Sequence, residues 1–371
     1  MFRDDFVWGV ASSSYQVEGT DANDGRGKNV WDAFTEAGRI FENQNAYTTC
    51  DHMHHYKEDI ALMKHLGIRA YRFSLNWARI LPEGTGRVNE KAIAMYRDMI
   101  LTMKENGITP YLTLFHWEFP QALYERGGWQ NPDVVQWFGE YAKVVDENFR
   151  DICEYFITIN EPQCVVGLGH LSGVHAPGVK LPVAQTFLVA HHLLMAHGQA
   201  VINLRRYAVR PVKIGFAPTG GVAYPYTDRP EDIEAAKKVY FGFYNPIDNW
   251  TWNVSWFSDP VFLGHYPEEG LKKFAPYLPE ITQEDMELIY QPLDFMGQNI
   301  YNGYYVRAGA DGEPEFVDRA PGFPKTGSDW PVTPEAFYYG IKFLTERYPL
   351  PLYITENGMS CHDMVSSDGR V

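Results

Sequence analysis

Tyr155-Phe156-Ile157-Thr158-Ile159-Asn160-Glu161 is an apolar, β-branched run that stops on an amide and a carboxylate. Such residues fit a buried, pleated strand, and the polar pair falls where the strand must end. The same form recurs along the chain. Val7 to Ala11, Ile68 to Leu75, Thr109 to Phe115, Val212 to Pro218, Leu293 to Tyr301 and Leu352 to Glu356 also read as strands. Between them lie helical periods. Ala92, Tyr96, Met99, Ile100 and Met103 share one face that ends before Gly107, a helix terminator. Asn131 reads as an N-cap with Pro132 at the first helical position, ahead of a stripe of Val135, Phe138, Ala142, Val145 and Phe149. Thr333-Pro334 repeats that opening before Phe337, Ile341 and Leu344.

Strand and helix in alternation predict a parallel sheet, and this many strands predict a (β/α)8 TIM barrel. The rival is an open doubly wound sheet, which would place a glycine-rich phosphate turn after its first strand. Here Val7 to Ala11 leads instead into Ser12-Ser13-Ser14-Tyr15-Gln16-Val17-Glu18-Gly19, so the barrel is favoured. With no repeat, linker or low-complexity tract, residues 1–371 are expected to form a single domain.

Composition narrows the function. A net charge of −15 repels phosphate backbones and anionic membrane surfaces, so no nucleic-acid or membrane partner is expected. The opening residues lack a basic stretch followed by an apolar run, and no stretch of about 18 consecutive apolar residues occurs. A cytoplasmic location is the expectation. Cys50, Cys153, Cys164 and Cys361 show no metal or disulfide spacing, in keeping with reduced thiols; neither a metal nor a cofactor is expected. Aromatic residues make up 15% of the chain, a supply of flat faces that stack on sugar rings but that serve cores as well.

In a parallel barrel, function gathers at the C-terminal ends of the strands. Those ends here carry Gln16, Arg72, His116 with Trp117, Asn160 with Glu161, Asn299 with Tyr301, and Glu356 with Asn357. Two carboxylates at the ends of different strands are what glycosidic cleavage needs: one protonates the leaving oxygen, the other attacks or activates water. Glu161 and Glu356 fill those places.

The residues that carry this pattern resemble glycoside hydrolase family 1, the β-glucosidase family. The resemblance rests on Phe6-Val7-Trp8-Gly9 with Gln16-Val17-Glu18-Gly19, Tyr71-Arg72-Phe73-Ser74, His116-Trp117, Thr158-Ile159-Asn160-Glu161-Pro162, Phe295-Met296-Gly297-Gln298-Asn299-Ile300-Tyr301 and Ile354-Thr355-Glu356-Asn357-Gly358. It implies a retaining double displacement with Glu161 as acid/base and Glu356 as nucleophile, which requires carboxyl groups about 5 to 5.5 Å apart rather than about 6.5 to 9.5 Å. It implies that Arg72, Asn299 and Tyr301 support the nucleophile and transition state, and that Gln16 and His116 face the 3- and 4-hydroxyls of a sugar and Asn160 its 2-hydroxyl. By the same resemblance Trp117 and Trp330 border the pocket, although Asp329 stands where the family usually has glycine. Asp51-His52-Met53-His54-His55-Tyr56 resembles the family's ordinary opening of a helix rather than a metal site.

The resemblance stops early. The family continues into an eighth strand, further helices and a Trp and Glu-Trp segment that binds the sugar's 4- and 6-hydroxyls, so this chain is expected to lack the eighth strand and the last helices. An unclosed barrel leaves strand edges unpaired, and a complementing C-terminal segment is an expected partner. The expected substrate is a β-glucoside or β-linked oligosaccharide. Gly173-Val174-His175-Ala176-Pro177-Gly178 and the segment from His191 to Gly198 resemble the branch acting on plain sugars. A 6-phospho-β-glucosidase of the same family, and a catalytically silent sugar-binding chain, are the alternatives.

Overall fold

The computed structural model describes residues 2–21, 23–206 and 210–371. Ten strands are present among them: β1 (Gly9–Ala11), β2 (Ala70–Ser74), β3 (Thr109–Phe115), β4 (Tyr155–Asn160), β5 (Lys213–Ala217), β6 (Val222–Pro225), β7 (Phe295–Asn299), β8 (Gly303–Ala308), β9 (Pro314–Val317) and β10 (Leu352–Glu356). Seven of them, the seven read from the sequence, form one all-parallel sheet in the order β1-β2-β3-β4-β5-β7-β10. A flat sheet would hold β2 and β10 roughly 24 Å apart at the usual strand spacing. Yet the Arg72 side chain on β2 hydrogen-bonds the Thr355 carbonyl on β10 at 3.4 Å, so the sheet curls into a barrel. The barrel is nearly closed: β1 and β10 approach each other, but no ladder joins them.

Burial follows the gap. β2 and β7 are buried throughout, as interior barrel strands should be, whereas β1 is exposed throughout and β10 is largely half-buried. The helices lie outside the sheet and turn their apolar stripes inward. The helix Glu90–Glu105 buries Ala92, Tyr96, Met99, Ile100 and Met103, the face read from its period. The helix Val134–Phe149 buries Val135, Phe138, Ala142, Val145 and Phe149, but starts later than the sequence implied. Asn131 caps the turn before it, its Oδ1 accepting from the Asp133 N–H at 2.9 Å. Thr333 does stand at the N-cap of the helix Pro334–Arg347, with Pro334 at its start as read, but its side chain makes no capping bond; its hydroxyl accepts from the Gly303 N–H at 3.0 Å and so fastens that helix to β8.

A small sheet of β6, β8 and β9 was not expected from the sequence. It packs against the helices Pro230–Phe241 and Pro334–Arg347, beside the C-terminal ends of β5 and β7 from which it springs. Two register shifts matter more for the site. The β4–β5 ladder slips between Ile157 and Asn160, and the β7–β10 ladder slips between Ile354 and Glu356. Such irregularities re-aim side chains, and each of these immediately precedes one of the two carboxylates.

Candidate active site

Glu356 ends β10 and is held from two sides. Arg72 donates through Nη1 to its Oε1, and the Tyr301 hydroxyl donates to its Oε2 at 2.5 Å. Arg72 is itself fixed: Nε donates to Thr113 Oγ1 at 2.9 Å and Nη2 to Asn160 Oδ1 at 2.7 Å. Burial pushes the Glu356 carboxyl up, but the Arg72 charge and the hydrogen bonds from Arg72 and Tyr301 outweigh it and hold the group below its ordinary value. Such a carboxyl is an anion at neutral pH, as a nucleophile must be.

Glu161 follows β4 in a left-handed conformation, φ 44° and ψ 66°, that a residue with a Cβ rarely adopts. The turn is secured by its N–H, which donates to the Ala217 carbonyl at the end of β5 at 2.8 Å. The side chain is 7% exposed. Oε1 accepts from Asn299 Nδ2 at 2.8 Å and Oε2 from Cys164 Sγ at 3.3 Å. Burial first, and then the negative charge of Glu356, raise the carboxyl above its ordinary value, while Asn299, Cys164 and Thr219 pull it partly back. One carboxyl is thus pushed up and its neighbour pulled down, the pattern that separates an acid from a nucleophile.

The amides and the histidine follow from the arginine. A guanidinium only donates, so Asn160 must present Oδ1 to it and therefore Nδ2 to His116 Nε2, 3.2 Å away. His116 Nε2 is then an acceptor and its proton sits on Nδ1. That Nδ1–H is buried and has no partner among the described residues. Burial holds His116 down to about 4, so the ring is neutral near pH 7.

Seven of the residues expected at the site therefore form one hydrogen-bonded group: Arg72, His116, Asn160, Glu161, Asn299, Tyr301 and Glu356. Trp117 joins at its edge with φ 82°, its indole N–H donating to the Asn160 carbonyl at 3.2 Å. Trp330 stands 46% exposed, its ring 5.5 Å from that of Tyr301 and edge-on to it. Gln16 is exposed at the mouth and does not bond to the group. It is set in place through its neighbours, because Glu118 Oε1 accepts from Ser14 Oγ at 2.6 Å and from the Tyr15 N–H at 2.9 Å.

Sequence reading missed Thr113, Thr355, Cys164, Thr219 and Glu118. The first two lie within strands, where alternation alone marks them as interior; Thr355 Oγ1 donates to Asn299 Oδ1 at 2.6 Å. Glu118 followed two residues already singled out, and its place in an apolar run was the available signal. The histidines at 52, 54 and 55 each pair with a separate carboxylate, Asp59, Asp51 and Glu58. Among the described residues no group of three metal-ligating side chains gathers, and no helix is long and apolar enough to cross a membrane.

Fold and site together define a glycoside hydrolase, a barrel whose strand ends bring two carboxyls, one raised and one lowered, to one hydrogen-bonded centre. The model of glycosyl hydrolase family 1 matches residues 1–371. The chain is 42% identical over 374 residues to β-glucosidase A of Thermotoga maritima, spanning all of this chain and 81% of that protein. It is 38% identical over 377 residues to β-glucosidase A of Acetivibrio thermocellus, spanning all of this chain and 82% of that one. The solved structure of the Thermotoga maritima β-glucosidase in complex with glucoimidazole superposes with a TM-score of 0.87 at 42% identity, over all of this chain and 81% of that chain. The chain belongs to glycosyl hydrolase family 1.

Proposed function

We propose that this hydrolase is a retaining β-glucosidase that releases terminal β-D-glucosyl residues through a covalent glycosyl-enzyme. The observation that carries the reading is geometric: Glu356 is gripped by Arg72 and Tyr301 while buried Glu161 is tied to the same hydrogen-bonded group through Asn299, and the two carboxyls are shifted in opposite directions, Glu356 down and Glu161 up. In the first step the Glu356 carboxylate bonds to the anomeric carbon as the glycosidic C–O bond breaks, and Glu161 gives its proton to the departing oxygen. Glu356 is then an ester without charge. The negative charge that helped to raise Glu161 is gone while its burial remains, so Glu161 becomes a better base. It takes a proton from water, whose oxygen bonds to the anomeric carbon and expels Glu356 as carboxylate. One pair of carboxyls serves both steps.

His116 Nδ1–H, Asn160 and Gln16 are assigned to the sugar hydroxyls, and Trp117 and Trp330 to the walls of the pocket. The names of the relatives favour a plain glucoside over a 6-phosphoglucoside. The unjoined edges of β1 and β10 support a further reading, that a complementing β/α segment seats in the gap and is needed for full turnover. A 2-deoxy-2-fluoro-glucoside with a good leaving group tests both. Added sugar mass on Glu356, found by peptide mapping, supports the retaining enzyme and excludes a silent binder. Label on another residue, or release of α-glucose from a β-glucoside, overturns it. Labelling and aryl glucoside turnover that rise when the segment is supplied support the complement; equal rates with and without it overturn that part.

A further inference from the structure

The two oxygens of Glu161 are not equivalent. Oε1 faces Asn299 and Oε2 faces Cys164. An amide can be turned end for end without changing its outline, so the network must decide which atom Asn299 presents. Arg72 decides it. Its guanidinium assigns Oδ1 of Asn160, and that oxygen also meets Asn299 at 3.0 Å, which must therefore be the Asn299 amino group. The other end of Asn299 accepts from the Thr355 hydroxyl, in agreement. The same amino group reaches Glu161 Oε1, so Oε1 faces an obligate donor, which favours the stronger acceptor, the carbonyl oxygen of the acid form, at that position and places the proton on Oε2.

Cys164 is the residue at Oε2. It is 7% exposed and lies one turn beyond Glu161. Burial, and after it the charge of Glu161, push its thiol well above the ordinary value, so it keeps its hydrogen. A thiol donates weakly through S–H and accepts weakly through sulfur, whereas an amide nitrogen only donates. We propose that Cys164 is a positioning residue for Glu161, holding the oxygen that carries the transferable proton and reversing its hydrogen-bond role as that proton leaves and returns. The proposal rests on Glu161 being the acid/base. The other groups that face Glu161 are Glu356 from β10, Tyr301 beyond β7 and the Thr219 hydroxyl beyond β5; Arg72 and His116, from β2 and β3, bond to Asn160 instead.

The S–H stretching band of Cys164 is isolated as the infrared difference between the parent chain and Cys164→Ala, and it needs no turnover. Above the titration of Glu161 the band should lie below the free-thiol position, and it should relax toward that position as pH falls through the titration. A free-thiol band at every pH overturns the proposal. In the turnover-competent protein, with the complementing segment supplied if it proves necessary, Cys164→Ala removes a donor to the charged form. It should move the basic limb of kcat/KM for a poor-leaving-group aryl glucoside up by about half a pH unit. Cys164→Ser, a stronger donor of similar size, should move it down. Shifts in the same direction, or none, overturn the positioning role even if the infrared band responds. Full activity in Glu161→Gln would instead remove the acid/base reading itself, so the two failures are distinguishable.

Discussion

At the scale of single residues, the site is a set of protonation states imposed by neighbours. Tyr301 is one of the groups that keep Glu356 ionised, because its hydroxyl donates more strongly to the charged form than to the neutral one. Tyr301→Phe therefore raises the Glu356 pKa, and the acidic limb of the kcat/KM profile should move up by a few tenths to about one pH unit. Activity is then lost more severely at pH 5 than at pH 7. Glu118 gives the opposite case. Its carboxyl is buried, its Oε2 has no partner among the described residues, and burial pushes it from 4.5 up to about 7, against smaller opposing hydrogen bonds from Ser14 and Tyr15. A folded value above the unfolded one means that its contribution to stability is complete below about 4.5 and is lost as pH rises through about 7. The loss is on the order of 3 kcal/mol. Glu118→Gln cannot ionise, so the fall in thermal midpoint between pH 5 and pH 8 should be clearly smaller in the variant. An equal fall in both proteins would show that Glu118 does not titrate in this range.

At the scale of elements, the turn that carries Trp330 is a narrow loop closed by the Thr326 N–H, which donates to the Trp330 carbonyl at 2.8 Å, and by the Val332 N–H, which donates to the Pro324 carbonyl at 2.9 Å. Asp329 occupies its left-handed position with φ 61°, the conformation for which glycine is the usual choice, and Lys325 Nζ holds its carboxylate at 2.9 Å. Asp tolerates this region better than most residues, which reconciles it with the glycine of the family pattern. Asp329→Gly should leave the turn intact, whereas β-branched Asp329→Val should disorder it. Acrylamide quenching of Trp330, isolated by comparison with Trp330→Phe, should rise only in the valine variant. The barrel strands and the two carboxylates were legible because apolar β runs ending on polar groups leave a strong local signal. β6, β8 and β9 were not, since β6 is short and pairs Val222 with the distant Gly303, and β8 and β9 are partly exposed and carry no sustained alternation. Cys164 and Thr219 were hidden for another reason. Their meaning comes from a left-handed turn at Glu161 and from the end of β5, which no periodicity discloses.

At the scale of the whole molecule, the unjoined edges of β1 and β10 bear on how these 371 residues behave in solution. Phe2, Phe6 and Trp8 form an aromatic cluster with ring centroids 4.5 to 4.9 Å apart, and they are 57%, 41% and 54% exposed. Val7 and Val10 beside them are exposed as well, so an apolar patch runs onto a strand with an unpaired edge. An exposed apolar patch on an unpaired strand edge is a template for association, because a second chain can satisfy both the ladder groups and the aromatic faces. The 371-residue chain should therefore self-associate at tens of micromolar and bind an apolar fluorescent dye. The double variant Phe6→Ser, Trp8→Gln should weaken both, while circular dichroism shows the fold retained. If the proposed complementing segment seats on this edge, supplying it should compete with both in the parent. Sedimentation as a monomer across that concentration range, with no dye bound, would show that the β1 edge is protected by something other than a neighbour.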